Sequence, residues 1–419
     1  MLAEKKLGAL DYILRISSLY ILIWAISPPL QHPMLFRIIV IGASLVWLMI
    51  SLLSLADTDT NIHKTYLVVC VFCIMAIMIE WVCGNSLLDA IISQLQIIIL
   101  LLFVLHYAYY SKYDVNFIKI LTIIALICLS IWQVRTLIEY QANPGVSRLL
   151  VRSGEEAQFY ASKGVGGYGL IYPSIFSNVC LMYLFRKVKG FNKILVLVPL
   201  VIGVLLVFSS GFLIAVIMTL VSLGCWFVRM FNNKNINSIL ISIFCLLIIV
   251  FVAMELLLQY SDSIIEALDG TFYKVKVKEI INALRTDQVT GKLEGRTSRY
   301  LESILGIFKY PIVGAKLLGY GTEIGGHSTL LDMVGLLGVF SFGFYFALYS
   351  VIRSIYKTSK YKGFIITIIL LFVLNGVLNT LVGSHGIIFI VVPGAILLSK
   401  TEVENESTVD CSRSDERSC

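Results

Sequence analysis

Charge is what this chain has least of. Of its 419 residues, 14% are charged and 58% are hydrophobic, with a mean hydropathy of +0.88. Ordinary soluble domains carry about 25% charged residues, so a soluble domain is excluded and an integral membrane protein is expected. The N-terminal stretch MLAEKKLGALDYILRISSLYILIWAI lacks a small-residue cleavage site and reads as a retained first helix, not a signal peptide. Paired cysteine is missing as well. Most of the nine cysteines fall inside apolar segments, and Cys70 and Cys73, although spaced C-x-x-C, have no histidine or second pair nearby. No disulfide framework, metal site or cofactor is expected. A clear internal repeat is also lacking, which weakens an inverted-repeat transporter. The net charge of +7 is spread over short loops between apolar segments, a mark of membrane topology and not of nucleic-acid binding.

What is present is a series of apolar runs. A helix of about 20 such residues crosses a bilayer. The runs predict twelve spans near 11–28, 35–55, 66–83, 90–110, 117–137, 168–185, 193–208, 211–229, 236–258, 326–350, 363–383 and 385–399. The expected fold is an all-α polytopic membrane protein. It forms a single transmembrane domain over 1–400, followed by a polar, disordered cytoplasmic tail over 401–419. With the N-terminus in the cytoplasm, Lys5, Lys6, Lys64, Lys112, Arg186, Lys187, Arg229, Arg353 and Lys400 fall inside. The short outer turns hold almost no cation, Arg37 being the main exception, and both termini are then cytoplasmic. Two connections, about 138–167 and 259–326, are much longer, and both are external. Within the second, SRYLESILGIFKYPIVG reads as an amphipathic helix lying on the membrane and stopped by Pro311.

Both long connections are cationic. The first carries Arg148, Arg152 and Lys163, with Arg135 at the outer end of the fifth span. The second carries Lys274, Lys276, Lys278, Arg285, Lys292, Arg296, Arg299, Lys309 and Lys316. Long loops are exempt from the positive-inside rule, so these charges need another explanation. A solvated surface, or ion pairs to Glu155, Glu156, Glu294 and Glu302, would suffice for any one lysine. Arginine differs, because its planar fork grips phosphate oxygens bidentately and keeps its charge when partly desolvated. Arg296 and Arg299, three apart, share a helix face, as do Arg148 and Arg152, four apart. Two such pairs, on loops folded over one another, could clamp a pyrophosphate.

His327 follows Gly325 and Gly326 where the second loop meets the tenth span. The glycines permit close backbone approach and a helix N-terminus favours anions, although a lone interfacial histidine is often only a polar cap. Asp332 lies inside that span. An intramembrane carboxylate is costly enough to be a functional candidate, unless a neighbouring helix pairs it. Glu80 and Glu255 are weaker candidates of the same kind. His385, in the turn between the last two spans, could line the same cavity. Asn375 and Asn379, four apart, read as interhelical hydrogen-bonding residues.

The run Gly295-Arg296-x-x-Arg299-Tyr300, then Pro311-x-x-Gly314, a Gly319-Tyr320-Gly321 turn and GGHSTLLDMVGLLGVFSFG resemble the signature region of the O-antigen ligase and polymerase superfamily. In that family a Gly-Arg pair opens a helix in the large external loop. A Pro-x-x-Gly stretch follows, and a His-Asn or His-Ser begins a span with a Gly-x-x-Gly step. Gly295, Arg296, Pro311, Gly314, His327, Ser328, Gly335 and Gly338 stand at the matching positions. Two positions depart from it. Phe212 stands where members often carry an arginine after serine, and Lys163 stands where an Arg-x(10)-Gly spacing from Arg152 would put glycine.

The resemblance implies a GT-C-like membrane glycosyltransferase that works without a metal on undecaprenyl-pyrophosphate-linked sugars, at the outer face of the bacterial inner membrane. Polymerases of the family transfer a growing glycan from its lipid carrier to a new lipid-linked repeat unit; ligases transfer the finished chain to lipid A core. Polymerase is the expected activity, since divergent outer loops suit an enzyme matched to one repeat unit. Ligase is the alternative. A lipid-linked oligosaccharide flippase is a second, weakened by spans that are nearly free of charge. The resemblance makes Arg296, His327 and Asp332 the catalytic candidates, and puts Arg135, Arg148, Arg152, Arg299 and His385 on pyrophosphate or glycan. Glu323, Asp332, His327 and His385 compete as base. The implied partners are the lipid-linked oligosaccharide, membrane lipid and a chain-length regulator, with no nucleic acid.

Overall fold

The computed structural model describes residues 9–381 except 32, 56–59, 85, 88–89, 92–114, 152–153, 231–235, 271–272, 287–291, 322–323, 359–361 and 380. Among the described residues the chain is helical, with no strand. In order come α1 (Ala9–Ile26), α2 (Pro28–Gln31), α3 (Met34–Leu55), α4 (Thr60–Val82), α5 (Val115–Ala142) and α6 (Val146–Leu149). Then follow α7 (Glu155–Ser162), α8 (Tyr168–Lys187), α9 (Asn192–Ser209), α10 (Leu213–Phe227), α11 (Ile236–Gln259) and α12 (Ser261–Ala267). Last are α13 (Tyr273–Thr286), α14 (Lys292–Lys309), α15 (Thr329–Leu337), a 3-10 turn at Gly338–Phe340, α16 (Ser341–Thr358) and α17 (Lys362–Leu378).

Among the described residues six helical stretches are long and apolar enough to cross a membrane: α1, α5, α8, α9, α11, and α15 running on into α16. Shorter apolar stretches lie in α3, α4, α10 and α17. Of the expected spans, 385–399 and all but the first residues of 90–110 lie outside the described residues, as does the tail 401–419. One expected helix differs in kind. The tenth span, read as continuous over 326–350, is broken at Gly338, whose φ of +56° and ψ of −132° no ordinary L-residue adopts.

α8 is the centre of the bundle, packed by α5, α9, α10 and α17 and buried over 78% of its apolar window. α11 is more apolar and yet only 12% buried. The contrast is expected in lipid, where an apolar side chain gains nothing by turning inward. Trp132, Thr136 and Tyr140, spaced four apart, form one face of α5. That face holds the glycine-rich run 164–169 against the helix. The Gly164 backbone lies on the Trp132 ring, the Gly166 N–H donates to Thr136 Oγ1 at 2.9 Å, and Tyr140 donates to the Gly166 carbonyl at 2.7 Å.

α14 is amphipathic in three dimensions as well as in sequence. Arg299, Ser303, Gly306 and Tyr310 fall on the side toward α15, where Ser303 and Tyr310 are buried. Leu301, Leu305 and Phe308 are exposed on the other, Phe308 at 77%, which suits a helix lodged between a bundle and lipid. Gly306 and Gly335 let the two helices close together. A Cβ on Gly335 would stand 3.5 Å from the Gly306 carbonyl carbon and 2.9 Å from Ile324 Cδ1.

Candidate functional site

The N-terminus of α15 is where the second long loop meets the bundle. Ser328 caps the helix, its Oγ accepting the Leu331 N–H at 3.2 Å and donating to the Gly376 carbonyl at 3.2 Å. Thr329 donates its N–H to the Asn379 carbonyl, and its Oγ1 accepts the Leu381 N–H at 2.6 Å. Tyr300, from α14, donates to the Leu378 carbonyl at 2.7 Å. The last carbonyls of a helix have no partner within it, so these three residues cap α17 while fixing the start of α15 beside it.

His327 stands one residue before that cap. Arg299 Nη1 lies 2.8 Å from His327 Nε2. A guanidinium can only donate, so Nε2 accepts. Nδ1, 3.2 Å from the Gly326 carbonyl oxygen, then carries the proton. Gly325 makes the approach possible, because a Cβ there would collide with the Arg299 carbonyl and stand 2.8 Å from Ser303 Oγ. Arg299 is exposed, and among the described residues the rest of its fork has no partner. The structure thus brings together two of the residues singled out in the sequence, 28 positions apart.

Asp332 lies one turn below and is 5% exposed. Both its oxygens are taken: Oδ1 accepts from Ser303 Oγ at 2.5 Å, and Oδ2 accepts the Ser328 N–H at 2.9 Å. It reaches back to the N-cap residue as the acidic member of a capping box does, and it also ties α14 to α15. Asp332→Asn leaves one of those donors facing an amide N–H. The expected loss is about 1–3 kcal/mol of stability, read as a lowered thermal midpoint, with function per folded molecule largely kept. Collapse of activity at an unchanged midpoint would refute this positioning role.

The first long loop reaches a different place. Arg148 donates to the Gly211 carbonyl at 2.9 Å, and its guanidinium lies 5.6 Å from the Phe212 ring centroid. Tyr273, from the second long loop, donates to the Phe208 carbonyl at 2.6 Å and accepts the Gly211 N–H at 3.0 Å. Burial raises the Tyr273 phenol, opposed by that N–H and by the nearby Arg148 charge. The two long loops therefore meet at the turn between α9 and α10.

From that turn an aromatic row leads back to α15. Phe212 stacks on Tyr168 at 4.5 Å between centroids, Tyr168 on Tyr172 at 5.6 Å, and the Tyr172 hydroxyl accepts from Asn379 Nδ2 at 2.9 Å. Asn379 also donates to Asn375 Oδ1, so the asparagine pair is the interhelical link expected of it. Tyr168 and Tyr172 were not among the sequence candidates. Their signal was there: two tyrosines four apart, opening a helix directly after a glycine run.

The remaining candidates are placed as follows. Arg135 pairs with Glu139 at 3.2 Å and donates to the Lys163 carbonyl at 3.3 Å. Glu80 forms an ion pair with Lys316, joining α4 to the loop after α14. Arg296 lies in α14, three residues before Arg299, but its side chain is outside the described set; Arg152, Glu323 and His385 lie outside the described residues altogether. No group of three metal-ligating side chains occurs among the described residues. No family model matches the chain, and no curated protein matches it.

Proposed function

We propose that the chain is a bacterial polysaccharide polymerase that transfers a glycan from a lipid pyrophosphate to the next lipid-linked repeat unit. The observation that carries the reading is the Arg299–His327 contact. It couples a cationic helix of the long loop to a histidine at a helix N-terminus, at the edge of an apolar bundle. Both residues lie in the stretch that resembles the family signature, His327 at one of its matching positions and Arg299 three residues after the Gly-Arg pair. The Phe212 departure also finds a counterpart, since the Arg148 guanidinium stands over the ring at the position where the family pattern would put an arginine.

The chemistry asks little bond-making of the protein. An acceptor hydroxyl bonds to the anomeric carbon while the carbon–oxygen bond to pyrophosphate breaks and the pyrophosphate leaves with the electron pair. Holding the two substrates in line and stabilising the charge on the leaving group supplies most of the acceleration. Arg299, with Arg296 beside it on the helix, grips phosphate oxygens. His327 Nε2 carries the ring's lone pair and takes the acceptor proton when Arg299 turns to the phosphate. With the long loops on the outer face and both termini inside, the site opens where lipid-linked units are displayed. Asp332 positions the start of α15 and does not touch substrate.

The test is a gel of surface polysaccharide from cells with and without the gene. A polymerase predicts loss of the ladder with one repeat unit still attached to lipid A core. Loss of all attached repeats, with lipid-linked polymer accumulating, would make it a ligase. An unchanged ladder in cells without a redundant enzyme would sink the reading.

A further inference from the structure

Arg37 is the cation that the topology does not explain, and the structure gives it a setting. A cavity of about 420 Å³ opens between α2, the start of α3, α7 and the glycine run before α8. That volume lies in the range of small-molecule sites, about 300–1,000 Å³. Arg37 lines it together with Gln31, Gln158 and Tyr168. The Arg37 Nε donates to the Gln31 carbonyl at 2.8 Å, which fixes the guanidinium. Among the described residues its two terminal nitrogens have no partner, and no aspartate or glutamate lines the cavity.

The backbone adds to that charge. Gly154 and Gly167, the N-cap residues of α7 and α8, both line the cavity, and neither helix start has a side-chain cap. Helix N-termini carry partial positive charge. The cavity therefore gathers the Arg37 guanidinium and the start of α8, whose first turn holds no acidic residue; at α7, Glu155 and Glu156 in the first turn offset the partial charge of that helix start. Arg299 and His327 take no part in it.

We infer that this cavity is a second substrate subsite, which binds an oxyanion, a sugar carboxylate or a phosphate, on the glycan or its lipid head. The planar Arg37 fork receives two oxygens side by side, and Gln158 lies across the cavity for the hydroxyls of the adjoining sugar. The saccharide part rests on the polymerase reading; the oxyanion part does not. Tyr168 also belongs to the aromatic row that reaches Asn379, so the subsite adjoins the path toward α15.

Titration calorimetry on the full chain in phosphatidylcholine nanodiscs, with glucuronate, glucose and inorganic phosphate as probes, tests this. A binding component kept in Arg299→Ala and weakened at least tenfold in Arg37→Gln is the expected result. Gly154→Leu is a second variant that does not touch Arg37. Gly154 is extended, at φ 176°, and a Cβ there meets nothing within 4 Å, so the leucine fills the cavity and should also abolish the component. Glucuronate above both other probes identifies an acidic sugar, and phosphate above glucuronate identifies the lipid-side phosphate. Glucose binding as tightly as glucuronate, or either probe binding normally to both variants, would overturn the subsite. The binding readout does not depend on chain growth, so a failed polymerase reading leaves it intact.

Discussion

Arg299→Ala is expected to abolish the high-molecular-weight ladder while leaving the protein folded. On the proposed polymerase reading, removing one preorganised donor from a developing oxyanion costs about 100–1,000-fold in turnover, and a product built by repeated transfer amplifies such a loss. The fold should survive because the side chain is exposed and its one described contact is His327. Arg299→Lys keeps the charge but loses the fork, so partial recovery with shorter chains is expected. His327→Gln, which can still accept a hydrogen bond, should retain more activity than His327→Ala. A wild-type ladder from Arg299→Ala at normal membrane abundance would remove this pair from the site. Arg148→Ala offers the contrast. Its guanidinium is engaged with Gly211 and Phe212, so its loss should lower the thermal midpoint first and the ladder only in proportion.

The sequence made the helices legible because hydropathy alone dictates them: an apolar run in lipid must satisfy its backbone internally, and only a helix does so within one segment. It made α14 legible as an amphipathic helix stopped near Pro311, and the glycines before His327 as a place of close backbone approach, but not that Ser303, Gly306 and Tyr310 turn toward α15. It did not show what Asp332 does. A carboxylate within an apolar run looked functional on cost alone, and the donor that offsets the cost, Ser303, lies 29 residues away across a helix interface. The same holds for Glu80, whose partner Lys316 is 236 positions distant, and for Arg148, which reaches Gly211. Pairings across such separations depend on how the helices pack, which hydropathy leaves open. Arg37 is the opposite case. It stood out as an anomaly of topology, and only the cavity beside it gave the anomaly a chemical sense.

The signature glycines yield the second large effect, on folding and not on chemistry. Gly314→Ala and Gly338→Ala are each expected to destabilise the protein by about 2–6 kcal/mol, combining left-handed backbone strain with overpacking. Gly314 has φ +83°, and a Cβ there would stand 2.6 Å from the Leu337 carbonyl carbon; one on Gly338, at φ +56°, would stand 2.8 Å from the Gly314 nitrogen. The colliding atoms are backbone and cannot rotate aside. The closeness has a purpose. Ala315 and Lys316 donate their N–H groups to the carbonyls of Gly335 and Leu336 at 2.8 and 3.1 Å, and Val339 donates to Ile312 at 3.0 Å. The two residues after the Pro-x-x-Gly segment thereby satisfy the last carbonyls of α15, and the Gly-x-x-Gly step is where that helix ends. Comparison within the same chain isolates the cause. Gly319 has φ +81° but nothing within 4 Å of a Cβ, so Gly319→Ala should cost only the strain, about 1–3 kcal/mol. Gly295, inside α14 with open space around it, should become slightly more stable as alanine. Thermal midpoints in that order, Gly295→Ala above wild type and Gly314→Ala and Gly338→Ala far below Gly319→Ala, would establish Gly314 and Gly338 as the close backbone contact that fixes the C-terminal end of α15. Equal midpoints across the four would mean the loop does not cap α15 as the geometry has it.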